Sequence, residues 1–116
     1  MHELSIAQSI VELAEEQARQ QQASVIEEVE IEIGRLAGVE IQTLTFALES
    51  AVKYTMLEKA RIVRHDIDGE GRCGDCGACF KTEALFSPCP QCGSYAVGLL
   101  RGKELRVKSI VINRYV

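Results

Sequence analysis

Four cysteines near the end of the chain form two Cys-x-x-Cys pairs, Cys73/Cys76 and Cys89/Cys92, with twelve residues between the pairs. Two residues between cysteines let both thiolates reach one ion from a tight turn, and two such turns complete a tetrahedral shell. The neighbouring glycines and prolines suit such turns: Gly74, Gly77, Gly93, Pro88 and Pro90. The spacing predicts a structural metal site with no open position; the alternative is four unrelated buried thiols or two disulfides.

A fifth cysteine, Cys79, creates a third pair of the same spacing with Cys76. We assign Cys73 and Cys76 as the first pair because Phe80 then follows four residues after the second ligand, where an aromatic ring can pack under the turn. Cys79 is then a spare thiol. Iron binds to the same four thiolates, but zinc is the default metal for a cytosolic protein.

The composition favours a small intracellular protein. A chain of 116 residues is one small domain, or a small core with a metal-stabilised module. No apolar run approaches the roughly 18 residues of a membrane span, and the glutamates near the start do not suit a signal peptide. Cysteines spaced for metal, in an odd total of five, predict a cytoplasmic location.

The charge distribution argues against nucleic acid as a partner. Residues 1–68 carry six Lys and Arg against thirteen Asp and Glu, whereas residues 69–116 carry seven against four. Phosphate binding requires clustered basic side chains. A zinc-ribbon module that binds nucleic acid or a transcription partner is the alternative function, but the cysteine segment has few cations. We expect its aromatic residues to pack rather than to stack on bases; they are Phe80, Phe86 and Tyr95.

No arrangement typical of an enzyme occurs, so no catalytic residue is assigned. The chain has no Ser/His/Asp grouping, phosphate-binding loop or open metal triad. His65 falls within a predicted strand, where a structural role is expected.

Hydrophobic periodicity predicts an α+β fold. Val29, Ile31 and Ile33 alternate with glutamates, which is typical of a strand with one exposed face. The expected architecture is two helices packed on a three-stranded sheet, with an inserted four-cysteine, zinc-ribbon-like module. The predicted elements are helices at 4–22 and 40–56 and strands at 25–34, 61–68 and 104–113. The expected domains are 1–69 plus 103–116, and 70–102.

The start of the chain could bind a second metal. The amine of Met1, the amide nitrogen of His2 and its imidazole Nδ1 can form fused chelate rings, and the amide or carboxylate of Glu3 can supply a fourth donor. Nitrogen-rich square-planar coordination suits nickel(II) or copper(II). Many chains also begin with Met-His by chance.

Several segments in order resemble the HypA/HybF family of hydrogenase nickel-incorporation proteins. Met1-His2-Glu3-Leu4-Ser5 is similar to the start of that family, and the remaining similar segments follow along essentially the whole chain. They are Val29-x-Ile31-x-Ile33-Gly34, the two cysteine pairs with Pro90 and Gly93, and Gly102-Lys103-Glu104-Leu105.

The resemblance implies a nickel metallochaperone. By similarity, His2 is the essential nickel ligand, Met1 and Glu3 complete the nickel site, and the four paired cysteines hold structural zinc. The implied partners are a GTPase of the HypB type and the large subunit of a [NiFe] hydrogenase, and some members also serve urease through its maturation proteins. This chain departs from the family at Cys79 and lacks histidines beside the cysteine pairs, so coupling between zinc and nickel is not implied here.

Overall fold

The computed structural model describes residues 3–113. The helices are α1 (Glu3–Gln20) and α2 (Ile41–Ala51). The strands are β1 (Val25–Gly34), β2 (Arg61–Ile67), β3 (Glu70–Cys73), β4 (Cys79–Lys81), β5 (Val97–Arg101) and β6 (Leu105–Asn113).

Helix α1 buries one apolar stripe, formed by Ala7, Ile10, Val11, Ala14 and Ala18. Leu4 and Leu13, two other apolar residues of this helix, are exposed. The helix ends at Gln20, two residues before the predicted end, because Gln22 has a left-handed backbone with φ of 58°. The N–H of Ala23 then bonds to the carbonyl of Ala18 at 2.9 Å, which closes the helix end.

Strand β1 is the middle strand of a three-stranded sheet with the order β2-β1-β6. Its bounds agree with the prediction, since the alternation of apolar and acidic residues matches the two faces of a half-buried strand. Glu28 pairs with Arg61 and Glu30 with His65, so β1 and β2 run in the same direction. In β6, the alternation of burial shifts at Lys108 and Ser109, where the sequence pattern also changes phase.

Helix α2 lies between β1 and β2 in sequence and packs against α1. Glu40 caps its start, because the Glu40 side chain accepts a hydrogen bond from the N–H of Gln42 at 3.3 Å. The helix stops at Ala51, well before the predicted end at residue 56. Turns follow instead, and Tyr54 has a left-handed backbone with φ of 63°.

A second sheet, with the order β4-β3-β5, carries the cysteine segment. Strand β3 pairs antiparallel with both neighbours: Arg72 is opposite Cys79 on one side and opposite Gly98 on the other. These strands of three to five residues were not predicted, because they are too short to show a clear alternation.

The described chain forms two compact units, residues 3–32, 39–65 and 106–113 in one and residues 33–38 and 66–105 in the other. Within the second, Gly34 lies so close to Gly102 that a Cβ at Gly34 would meet the Gly102 carbonyl oxygen at 1.9 Å.

The predicted fold class is confirmed: two helices, a three-stranded sheet and an inserted four-cysteine module. Within residues 3–113, neither helix has the length and apolar character that a membrane crossing requires.

Candidate metal centres

The first cysteine turn begins at the end of β3 and is closed by backbone hydrogen bonds. The N–H of Cys73 donates to the carbonyl of Ala78 at 2.9 Å, and the N–H of Gly77 donates to the carbonyl of Cys73 at 3.0 Å. Gly77 has φ of 76°, a conformation that glycine adopts without strain. The N–H of Cys76 points at the Cys73 sulfur, 3.4 Å away.

The second cysteine turn repeats this geometry. The N–H of Cys89 donates to the carbonyl of Ser94 at 2.8 Å, and the N–H of Gly93 donates to the carbonyl of Cys89 at 2.8 Å. Gly93 also has φ of 76°, and the N–H of Gln91 lies 3.4 Å from the Cys89 sulfur. The recurring Cys-x-x-Cys-Gly sequence therefore gives the same turn twice.

The two turns bring the four predicted cysteines together. Their sulfur atoms all lie within 4.8 Å of one another. The distance from Cys73 Sγ to Cys92 Sγ is 3.5 Å, and that from Cys76 Sγ to Cys89 Sγ is 3.6 Å. A tetrahedral zinc site with bonds of about 2.3 Å requires sulfurs about 3.8 Å apart. A disulfide needs about 2.05 Å, so these distances fit a shared metal ion and not the disulfide alternative.

Backbone N–H groups lower the pKa of the first cysteine in each turn. The N–H groups of Cys76 and Asp75 lower the pKa of the Cys73 thiol to about 6. The N–H groups of Cys92 and Gln91 lower the pKa of Cys89. The thiolate is the form that binds metal, so each turn prepares a ligand through its own backbone.

Cys79 lies outside this cluster. It is an exposed residue of β4, opposite Arg72 on β3, and it is not among the four sulfurs that converge. The structure therefore favours Cys73/Cys76 over Cys76/Cys79 as the first pair.

The aromatic residues of the cysteine segment only partly follow the prediction. Phe80 is half-buried and lies opposite Gly71 in the second sheet. Phe86 and Tyr95, however, are 90% and 77% exposed, so the expectation that they pack was wrong. The Phe86 backbone is also left-handed, with φ of 64°.

Of the three residues assigned to nickel, Met1 and His2 lie outside the described residues. Glu3 is the first residue of α1, and its carboxylate accepts a hydrogen bond from the N–H of Glu40 at 3.3 Å. The start of α1 is thus held against the start of α2 by a contact between two acidic residues, Glu3 and Glu40.

His65 has a structural partner, as expected. Its Nε2 lies 2.9 Å from Glu30 Oε1, and the other carboxylate oxygen of Glu30 accepts a hydrogen bond from the Ser109 hydroxyl. These two bonds, with that of Ser109 the larger contribution, lower the pKa of Glu30. Glu30, His65 and Ser109 thus link the three strands of the first sheet through side-chain hydrogen bonds.

One contact between the two cysteine turns could not be predicted from the spacing of residues in the sequence. The Ser94 hydroxyl, which follows the second turn, donates a hydrogen bond to the carboxylate of Asp75 inside the first turn. Ser and Asp are ordinary turn residues, so only their proximity in the fold distinguishes them.

Comparison with known proteins gives a family for the chain. The model of the HypA family, described as hydrogenase/urease nickel incorporation and metallochaperone, matches residues 1–112.

Curated relatives match over nearly the whole chain. A hydrogenase maturation factor HypA from Parabacteroides distasonis is 69% identical over 114 residues, which is 98% of this chain and 99% of the relative. One from Prosthecochloris aestuarii is 40% identical over 112 residues, which is 97% of this chain and 99% of the relative.

A solved structure has the same architecture. The solution structure of the nickel metallochaperone HypA from Helicobacter pylori is 31% identical, covers 99% of this chain and 100% of its own, and superposes with a TM-score of 0.73. The family expected from the sequence is confirmed: this chain belongs to the HypA family of hydrogenase/urease nickel-incorporation metallochaperones.

Proposed function

We propose that this protein binds nickel(II) at the start of its chain and passes the ion to the large subunit of a [NiFe] hydrogenase. The observation that carries the proposal is the family match over residues 1–112, which includes the Met1-His2-Glu3 segment. The 69% identical relative is named a hydrogenase maturation factor.

The proposed nickel ligands are the Met1 amine, the amide nitrogen and imidazole of His2, and Glu3. Nitrogen donors in a plane suit nickel(II). The ion is cargo and no bond of a substrate is made or broken, so the protein is not an enzyme in this proposal. Because binding releases protons from the amine, imidazole and amide, nickel affinity falls as the pH falls.

The hydrogen bond between Glu3 and the N–H of Glu40 supports this location. It links Glu3, a proposed nickel ligand, to a second acidic residue, Glu40. Two carboxylates lower the electrostatic energy of a divalent cation next to them.

We assign zinc to Cys73, Cys76, Cys89 and Cys92. Four thiolates leave no coordination position for a substrate, so this metal stabilises the fold. The proposed domains are a nickel-binding domain, residues 1–69 plus 103–116, and a zinc-binding domain, residues 70–102.

The proposed partners are a HypB-type GTPase and the hydrogenase large subunit, and the family description adds urease maturation as a second destination. A cytoplasmic location suits four metal-binding cysteines and one spare thiol, because cysteines stay reduced in that compartment.

Calorimetric titration of nickel into tag-free protein tests the proposal. Three proteins are compared: the wild type, a copy with one residue added before Met1, and His2→Ala. We expect one high-affinity nickel equivalent in the wild type and its loss in both variants, while the zinc content stays constant. Equal nickel binding in all three proteins would contradict the proposal.

A further inference from the structure

The two cysteine turns are joined by a side-chain contact. Ser94 Oγ donates to the carboxylate of Asp75, and it accepts the N–H of Ala96 at 3.0 Å. Its hydroxyl therefore has both a donor and an acceptor role, which fixes its orientation.

The backbone holds both residues in place for this contact. The Ser94 carbonyl accepts the N–H of Cys89, so Ser94 belongs to the closure of the second turn. On the other side, the N–H of Gly74 donates to the Ala96 carbonyl at 2.7 Å, next to Asp75. The contact between Asp75 and Ser94 thus lies at a point where the two turns already meet.

The four cysteines are not equally accessible. Cys73 and Cys89 are buried, whereas Cys76 and Cys92, the second cysteine of each turn, are exposed. Asp75 directly precedes Cys76, and Ser94 follows two residues after Cys92. The contact therefore joins two residues that lie close in sequence to the two exposed cysteines of the site.

We propose that Asp75 and Ser94 are positioning residues that slow the loss of metal from the four-cysteine site. The hydrogen bond holds the two turns together close in sequence to Cys76 and Cys92. One sulfur therefore does not leave the ion easily while a competing ligand displaces another. This inference rests on the proposed zinc assignment and is independent of nickel binding.

The size of the effect follows from the kind of bond. A hydrogen bond to an ionised carboxylate is stronger than one between neutral groups, but this one is exposed to solvent. We expect its removal to accelerate zinc release about three- to tenfold without unfolding the protein.

The test is the rate of zinc transfer from the purified full chain to excess 4-(2-pyridylazo)resorcinol, followed by absorbance. The variants are Ser94→Ala, Asp75→Ala and the double variant. Ser94→Thr keeps the hydroxyl and should release zinc at nearly the wild-type rate. Ser87→Ala is the matched control, because the Ser87 hydroxyl bonds within its own turn, to the Ala84 carbonyl at 3.3 Å.

We expect both single variants to release zinc faster and the double variant to be no faster than Ser94→Ala, since Ser94→Ala already lacks the bond to Asp75 as well as the acceptor for the Ala96 N–H. A wild-type rate in Asp75→Ala, or multiplied effects in the double variant, would overturn the proposal. A wild-type protein with no zinc equivalent would refute the zinc assignment and this inference with it.

Discussion

The backbone N–H of Glu40 donates a 3.3 Å hydrogen bond to Glu3 Oε2. This bond joins the first residue of α1 to the residue that caps α2, although 37 positions separate them. The Glu40 carboxylate is itself oriented, because it accepts the N–H of Gln42. The two carboxylates are thus held by hydrogen bonds from neighbouring backbone N–H groups, those of Glu40 and Gln42.

We predict that Glu3→Gln and Glu40→Gln each weaken nickel binding, by about three- to tenfold, because each removes a negative charge close to a divalent cation. Calorimetric titration measures the change. Glu12→Gln, on the exposed side of α1, has the same change in charge and is the control. Nickel affinities of both variants equal to that of Glu12→Gln would contradict this prediction.

We predict that Cys73→Ala or Cys92→Ala eliminates the zinc equivalent, because three thiolates do not complete a tetrahedral shell. Backbone amides in residues 70–102 should then exchange faster with solvent, since their turns lose the shared ion. Zinc content by elemental analysis and hydrogen exchange measure both effects. Cys79→Ala is the matched control and should retain one equivalent; its loss there would reverse the ligand assignment.

Strong local signals made parts of this structure predictable. The strict alternation along β1 gave its bounds correctly, and the cysteine spacing identified the four thiols that converge. Both patterns can be recognised in the sequence alone, without knowledge of the fold. The ends of α1 and α2 were less predictable because each depends on one residue that leaves the helical conformation, near Gln22 and Tyr54.

Features that depend on distant residues were not predictable. Strands β3, β4 and β5 form by pairing with one another, and their sequences are too short to show the alternation that would predict a strand. Asp75 and Ser94 are 19 positions apart and meet only because the two cysteine turns meet. Phe86 and Tyr95 were expected to pack, since aromatic residues usually do, but the small cysteine segment leaves both exposed.

Leu44 and Phe46 are apolar neighbours on α2 with opposite environments, 1% and 71% exposed. We predict that Leu44→Ala lowers the free energy of unfolding by about 2–5 kcal/mol, because it leaves a cavity in the core. Phe46→Ala is the control, with an expected change within about 0.5 kcal/mol. Urea denaturation followed by circular dichroism measures both, and similar losses in the two variants would refute the burial pattern of α2.

The contacts of Glu30 give a pH-dependent contribution to stability. Hydrogen bonds from Ser109 and His65 lower the pKa of Glu30 below its ordinary value of 4.5 in the folded protein. The folded state therefore binds this proton less readily than the unfolded state does. The contribution is fully present above pH 4.5 and is lost as the pH falls through the lowered pKa of the folded state.

Glu30→Gln should remove this contribution, so the variant is less stable than wild type near pH 6 and the difference shrinks as the pH approaches 3. Urea denaturation at several pH values measures it, and comparison at each pH cancels the metal loss that acid causes in both proteins. Glu12→Gln should show no such trend. A gap between Glu30→Gln and wild type that stays constant from pH 6 to pH 3 would mean that Glu30 acts through packing, and not through the charge that Ser109 and His65 stabilise.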